Sequence, residues 1–377
     1  MKKLGKLLWS FVKKLDKYLL FAVTLCSALG IVLIYSIYKN GVSSSVYPST
    51  YKTQLVATGL GIIAAMVISA IDYNKLAKLW FLYAPVAIGL VMLTFTPLGI
   101  QREGTDDRAW IDLGVTTFQP SEVLKLAFIF SFAYHLTKVG DKINNPLNVI
   151  LLCAHGGAPI LLVSAQGDQG TAIVFGVIFI MMIFVAGISW KYITAAVVAS
   201  PILAVLAWNF LLLSHHKTRI KIIFNPDLDP LGAGNQQRQG KIALGSGQLY
   251  GKGLFGGEYS YVAEVQNDFI FSYLGQTLGF VGCMALCCVI AFICIKLMSN
   301  AAGAKDITGK LICTGVFALF FAHAVMNIGM VIGVMPVIGV PLPFVSAGGT
   351  AVLSMYMAIG MAMSVHSHNE KSNALFY

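Results

Sequence analysis

Residues 269–298 form an apolar run of thirty residues broken by a single charge, Lys296. A helix crosses the hydrocarbon core of a bilayer in roughly 20 mainly apolar residues. A run this long is therefore read as a membrane span and not as a buried helix of a soluble domain. The pattern recurs at 18–38, 53–71, 77–95, 121–136, 147–165, 171–188, 192–213, 311–335 and 344–365, which brings the predicted spans to about ten. Composition points the same way. The 377 residues are 57% hydrophobic and 11% charged, whereas a soluble domain is about 25% charged, so the polar residues present could not coat an aqueous surface. Disordered, collagen-like and disulfide-scaffold classes are excluded by the same numbers. The expected fold is an all-α integral membrane protein, one polytopic domain over 1–377.

Charge placement orients the chain. Net charge is +10, from 26 Lys and Arg against 16 Asp and Glu, which in a soluble protein would raise nucleic acid as a partner. Here the position of the charges matters more, and no nucleic-acid partner is expected. Lys2, Lys3, Lys6, Lys13, Lys14 and Lys17 alternate with apolar residues over 1–17, a pattern suited to an amphipathic helix on anionic lipid at the cytoplasmic face. The run that follows is too long for a signal-peptide core. With an even number of spans both termini are cytoplasmic, and Lys75, Lys78, Lys138, Lys142, Lys191, Lys305, Lys310 and Lys371 then fall on the inner side, as the positive-inside rule requires. Two polar segments lie outside: 97–119, and a long extracytoplasmic loop, 214–267, between the seventh and eighth spans. That loop is glycine-rich and carries Lys217, Arg219, Lys221, Arg238, Lys241 and Lys252. It reads either as a solvated insert or as a surface that grips an anionic ligand with cations and close backbone approach.

Ionisable groups near membrane depth are costly unless used. Pro120, Ser121 and Glu122 suit a helix start, and Glu122 and Lys125, three apart, share a helix face. They read as a self-neutralising pair or as a lysine facing a polar cavity. Asp168 lies in the outer turn between the fifth and sixth spans, where it can cap the sixth. Asp268 stands where the basic loop meets the eighth span. A carboxylate at the mouth of a membrane cavity can act as a general base; helix capping is the other reading. The seven cysteines all fall in apolar runs without a Cys-x-x-Cys pair and read as inert small side chains. His155, His323, His366 and His368 lack convergent ligands in the sequence, so no metal site is proposed. Segment 245–253 has Gly253 where a phosphate loop needs a hydroxyl residue.

Further motifs stand in a fixed order: Arg108-Ala-Trp-Ile-Asp-Leu-Gly114, Phe118-Gln-Pro-Ser-Glu-Val-Leu-Lys125, Gly167-Asp-Gln-Gly-Thr171, Asp229-Pro-Leu-Gly-Ala-Gly234, Lys241-Ile-Ala-Leu-Gly-Ser-Gly247, Asn267-Asp-Phe-Ile-Phe271, and Asn327-Ile-Gly-Met-Val-Ile-Gly333 through Pro341-Leu-Pro-Phe-Val-Ser-Ala-Gly-Gly349. Over nearly its whole length the chain resembles the SEDS family (shape, elongation, division and sporulation proteins), and its elongation branch in particular. The resemblance implies a ten-helix fold and an enzyme that joins lipid II disaccharide-pentapeptides into glycan strands at the outer face of the bacterial cytoplasmic membrane, releasing undecaprenyl diphosphate. It implies a class B penicillin-binding protein as partner. It assigns catalysis to Asp268 and substrate contact to Arg108, Glu122, Lys125, Asp168, Lys241 and Ser346. No cofactor is called for, and a divalent cation is left open. The chain departs from the family pattern at Gln276-Thr277, where two carboxylates are usual, and in Gln166-Gly-Asp-Gln-Gly-Thr171, where Gln-Pro-Asp-Leu-Gly-Thr is usual. Two other readings stay open: a lipid flippase or transporter, and a catalytically weak scaffold for a penicillin-binding protein.

Overall fold

The computed structural model describes residues 14–101, 107–112, 114, 117–212 and 214–369. Most of the amphipathic N-terminus and Lys371 lie outside the described residues.

All ten apolar runs become helices. They are α1 (Lys17–Lys39), α2 (Pro48–Ala70), the pair α3 (Tyr73–Lys78) and α4 (Trp80–Leu93), α5 (Pro120–Val139), α6 (Pro146–Ala165), α7 (Gln169–Val185), α8 (Trp190–Leu206), α11 (Ile270–Ala302), α12 (Ile307–Ile332) and α13 (Gly349–Ser367). Two further helices, α9 (Ser214–Ile222) and α10 (Ala233–Ser246), lie between α8 and α11. Among the described residues eight helices are long and apolar enough to cross a membrane, and Trp80–Leu93 and Gln169–Val185 are shorter apolar helices. Local signals set the ends. Pro120, Pro146 and Pro48 open their helices, where a missing N–H costs nothing. Asp16 caps α1 by accepting from the Leu19 amide at 3.1 Å. The same carboxylate takes Asn300 Nδ2 at 3.0 Å and Lys296 Nζ at 3.2 Å, so the one charge in the long apolar run is paired.

The centre of the bundle is α12, which packs against α5, α7, α11 and α13. In hydrocarbon the hydrophobic effect does not drive helices together, and close van der Waals packing through small residues does. The α2–α13 contact shows this. A Cβ on Gly360 would sit 2.8 Å from the Ala65 Cα, so only glycine lets the two backbones approach. By contrast α8 stands apart, and its most apolar stretch buries none of its residues. In α6, Gly156 makes room for the Phe179 ring while Gly157 faces open space.

The long run that opened the sequence reading is not one continuous helix. At Gly279 the backbone turns to φ 67° and ψ −165°, a conformation that glycine alone adopts without strain. A break inside a membrane frees backbone groups that must be paired internally, and residues 248–253 of the preceding loop pair them. The amides of Lys252 and Gly253 donate to the carbonyls of Gln276 and Thr277 at 2.9 and 3.0 Å, and the amides of Phe280 and Val281 donate to Gln248 and Leu249 at 2.8 and 3.1 Å.

Both long polar segments hold regular structure that hydropathy does not reveal. Within 97–119 the strands β1 (Gly99–Ile100), β2 (Trp110–Asp112) and β3 (Thr117–Phe118) form an antiparallel sheet with Ile111 opposite Gly99 and Phe118. Within 214–267, α10 packs on α11 and α12 and buries Gln237, Gly240 and Ala243. Gln237 Nε2 donates to Met330 O at 3.3 Å and Met335 O at 3.0 Å. A purely solvated insert does not describe this part of the loop.

Candidate active site

The segment 333–348, between α12 and α13, draws the predicted site residues together. It begins at Gly333, the left-handed cap of α12 (φ 81°). The ammonium end of Lys241, from α10, lies against Gly333, where a cation is favoured by the helix C-terminus. Further along, Gly339 borders Asp268: a Cβ there would be 3.7 Å from Asp268 Oδ2. The segment closes at Ser346, whose hydroxyl donates to Asn267 O at 2.6 Å and accepts from the Leu342 amide at 2.8 Å. Ser346 is buried and is a strut of this turn, its carbonyl held by Gln54 Nε2 at 3.0 Å.

Asp268 is half-buried. Helix α11 has its N-cap at Phe269, so Asp268 is not the capping residue. Its backbone carbonyl is held by Asn327 Nδ2 at 2.9 Å, and the same amide donates to Val340 O at 2.9 Å. One buried side chain of α12 thus fixes both Asp268 and the segment beside it. Four residues earlier, one turn below on the same face, His323 sits with Nδ1 3.2 Å from Pro341 O and Nε2 3.2 Å from Lys125 Nζ.

Lys125 and Glu122 form the self-neutralising pair, 2.8 Å apart, with side chains only 1% and 3% exposed. Ser354 donates to the other Glu122 oxygen at 2.5 Å. The lysine reaches a histidine and a carboxylate, and the pair is enclosed by α5, α12 and α13. Asp168 caps α7, accepting from the Thr171 amide at 2.9 Å, and also takes Gln119 Nε2 at 2.9 Å. Burial pushes its carboxyl above the usual range, against the opposing pull of the Thr171 amide. The turn it occupies abuts the 333–348 segment, since Gly170 packs on the Ile338 carbonyl. Arg108 is exposed, and its backbone amide ties it to Gln166 O at 2.9 Å.

All seven predicted residues therefore border one turn-rich segment and its supports. Arg108 and Lys241 are exposed and Asp268 is half-buried, and Glu122, Lys125, Asp168 and Ser346 are engaged in protein hydrogen bonds. Asn327 and His323 join these seven as residues whose part in the site the motifs alone do not reveal. The signal that finds them is their spacing, two polar residues four apart on one face of an apolar helix. Among the described residues no group of three or more His, Cys, Asp or Glu is placed to hold a metal ion.

A family model described as cell cycle protein, spanning FtsW, RodA and SpoVE, matches residues 16–371. The chain belongs to this family. Peptidoglycan glycosyltransferase MrdB of Escherichia coli K12 is 33% identical over 321 residues, 84% of each chain. Stage V sporulation protein E of Bacillus subtilis 168 is 31% identical over 367 residues, 94% of this chain and 97% of the other. Among solved structures, a chain of a peptidoglycan synthase complex matches with a TM-score of 0.80 at 25% identity, over 95% of this chain and 99% of that one. RodA of Thermus thermophilus matches with a TM-score of 0.69 at 23% identity, over 94% and 98% of the two chains, a likeness of fold. The family expected from the motifs is the family found, and the chain is a multi-pass, all-α membrane protein.

Proposed function

We propose that this protein polymerises lipid II into glycan strands at the outer face of the bacterial cytoplasmic membrane, for cell shape, in complex with a class B penicillin-binding protein. The protein is a peptidoglycan glycosyltransferase of the SEDS family. The observation that carries the mechanistic reading is the placement of Asp268, a half-buried carboxylate fixed through its backbone beside Gly339, with Lys241 at the other end of the same segment.

The chemistry follows. A sugar 4-hydroxyl attacks the anomeric carbon of a second lipid-linked chain; the O4–C1 bond forms as the bond from C1 to the diphosphate oxygen breaks. The hydroxyl proton goes to Asp268, and the electron pair leaves with undecaprenyl diphosphate. Lys241 and Arg108, the accessible cations, stabilise charge growing on the leaving group. Lys125 is neutralised by Glu122, and its part is to hold His323 and through it the Pro341 turn. Two cations suffice for this reading, and a divalent ion remains an optional addition.

A transporter reading would lead one to expect broken helices paired between the two halves of the bundle. Breaks occur at Gly279 in α11 and at Leu79 between α3 and α4; it is the likeness to a peptidoglycan glycosyltransferase that favours the polymerase. The deciding experiment is polymerisation of labelled lipid II by the purified protein, alone and with its partner. Glycan is expected in at least the second reaction; lipid II transfer across liposomes without any polymer would replace this reading by the flippase.

Orientation is tested separately. A single cysteine at Gly251, in a background freed of the native cysteines, should react with an impermeant thiol reagent on intact cells. Labelling only after lysis would reverse the topology and put the site on the wrong side for chemistry at the outer face.

A further inference from the structure

Away from Asp268, the outer segment contains a cavity of about 250 Å³ with Arg219, Asn235, Gln236, Gln239, Tyr261 and Val337 in its wall. It is smaller than the roughly 300–1,000 Å³ of sites for drug-sized ligands, the size of a short peptide end. Arg219 is the one charged side chain in the wall, half-buried, and among the described residues no carboxylate pairs with it. The nearby Asp229 is occupied, its two oxygens accepting from the Gly232 and Ala233 amides at 3.0 and 2.8 Å. Gln236 Nε2 is committed to Ala263 O at 3.1 Å, which leaves its carbonyl oxygen and the Asn235 and Gln239 carboxamides to present donors and acceptors.

A single guanidinium among carboxamides suits one planar monoanion with amide groups beside it, since the guanidinium fork matches a carboxylate in bidentate fashion. A diphosphate would bring more charge than one arginine balances. The cavity also lies within reach of the chemistry. Val337 is two residues from Gly339, which borders the Asp268 carboxylate, and two residues span about 7 Å at most. An extended pentapeptide covers about 17 Å, so a peptide carried on a sugar held at Asp268 can enter the cavity.

We propose that this cavity receives the carboxylate-bearing end of the peptide on the lipid-linked sugar, with Arg219 gripping the carboxylate. The assignment rests on the polymerase reading and adds to it a recognition site for the part of the substrate that does not react. Binding energy taken from such a remote group serves to position the reacting end.

The test is to supply the purified full chain, together with its penicillin-binding partner, with two lipid-linked disaccharide-pentapeptides that differ only in ending as a free carboxylate or as a carboxamide. The wild type should favour the carboxylate form by about tenfold or more in kcat/KM, a difference of about 1.4 kcal/mol. Arg219→Gln should bring that ratio close to one. Lys217→Gln should keep it, because Lys217 is outside the cavity wall, its ammonium 6.0 Å from the Trp208 ring centre. A wild-type ratio near one, or a full ratio in Arg219→Gln, overturns the assignment while polymer formation still upholds the enzyme. Absence of polymer from both substrates instead overturns the polymerase reading and this inference with it. Should Arg219→Gln not accumulate, the wild-type ratio decides the matter unaided, and Gln239→Leu, a milder change in the same wall, should lower it.

Discussion

Asp268→Asn is expected to leave a folded protein that makes almost no glycan from lipid II. The substitution keeps the side chain's size and removes its ability to accept a proton. The contact that anchors this position is made by the backbone carbonyl, to Asn327 at 2.9 Å, and the asparagine retains it. Positioned general bases contribute typically about 10²–10⁴-fold, so turnover should fall by at least about a hundredfold while protein level and melting temperature stay close to wild type. Polymer formed near the wild-type rate would remove Asp268 from the base role and leave the attacking hydroxyl to another group.

The second large effect concerns stability. Lys125→Met strands Glu122 as a buried charge with Ser354 alone for company, and removing one partner of a buried pair costs about 3–5 kcal/mol. Loss of folded protein from membranes is the expected readout. Adding Glu122→Gln removes the stranded charge, and the double variant should regain protein level together with most of its activity. If protein returns and polymerisation does not, Lys125 touches substrate and the structural account of the pair is wrong.

These expectations also mark how far the sequence could be read. Every span was visible, because thirty apolar residues around one lysine leave a chain no other solvent than lipid. Pro120 with Glu122 announced the start of α5, and Glu122 with Lys125, three apart and so facing alike, offered a pair as one of two readings. What stayed hidden depends on contacts between distant segments. Hydropathy cannot show the interruption at Gly279, because the residues that repair it, 248–253, precede it in a polar loop. Nor can it show that Asp168 and Ser346 are held by Gln119 and Asn267, partners that only the folded bundle brings near. His323 and Asn327 are the instructive misses: their four-residue spacing was on view, but the loop carbonyls they hold come from elsewhere in the chain.

The repaired break in α11 bears on how the protein is made. As the eighth span leaves the ribosome and enters the bilayer, its hydropathy is enough to commit it, yet the carbonyls of Gln276 and Thr277 and the amides of Phe280 and Val281 find their partners in residues 248–253. Those residues are synthesised first and must already stand at the end of the bundle where the span begins when it arrives. Biogenesis is therefore ordered. Placement of the long loop precedes completion of the helix after it, and a chain whose loop lies on the other side of the bilayer would leave a span inserted but unfinished.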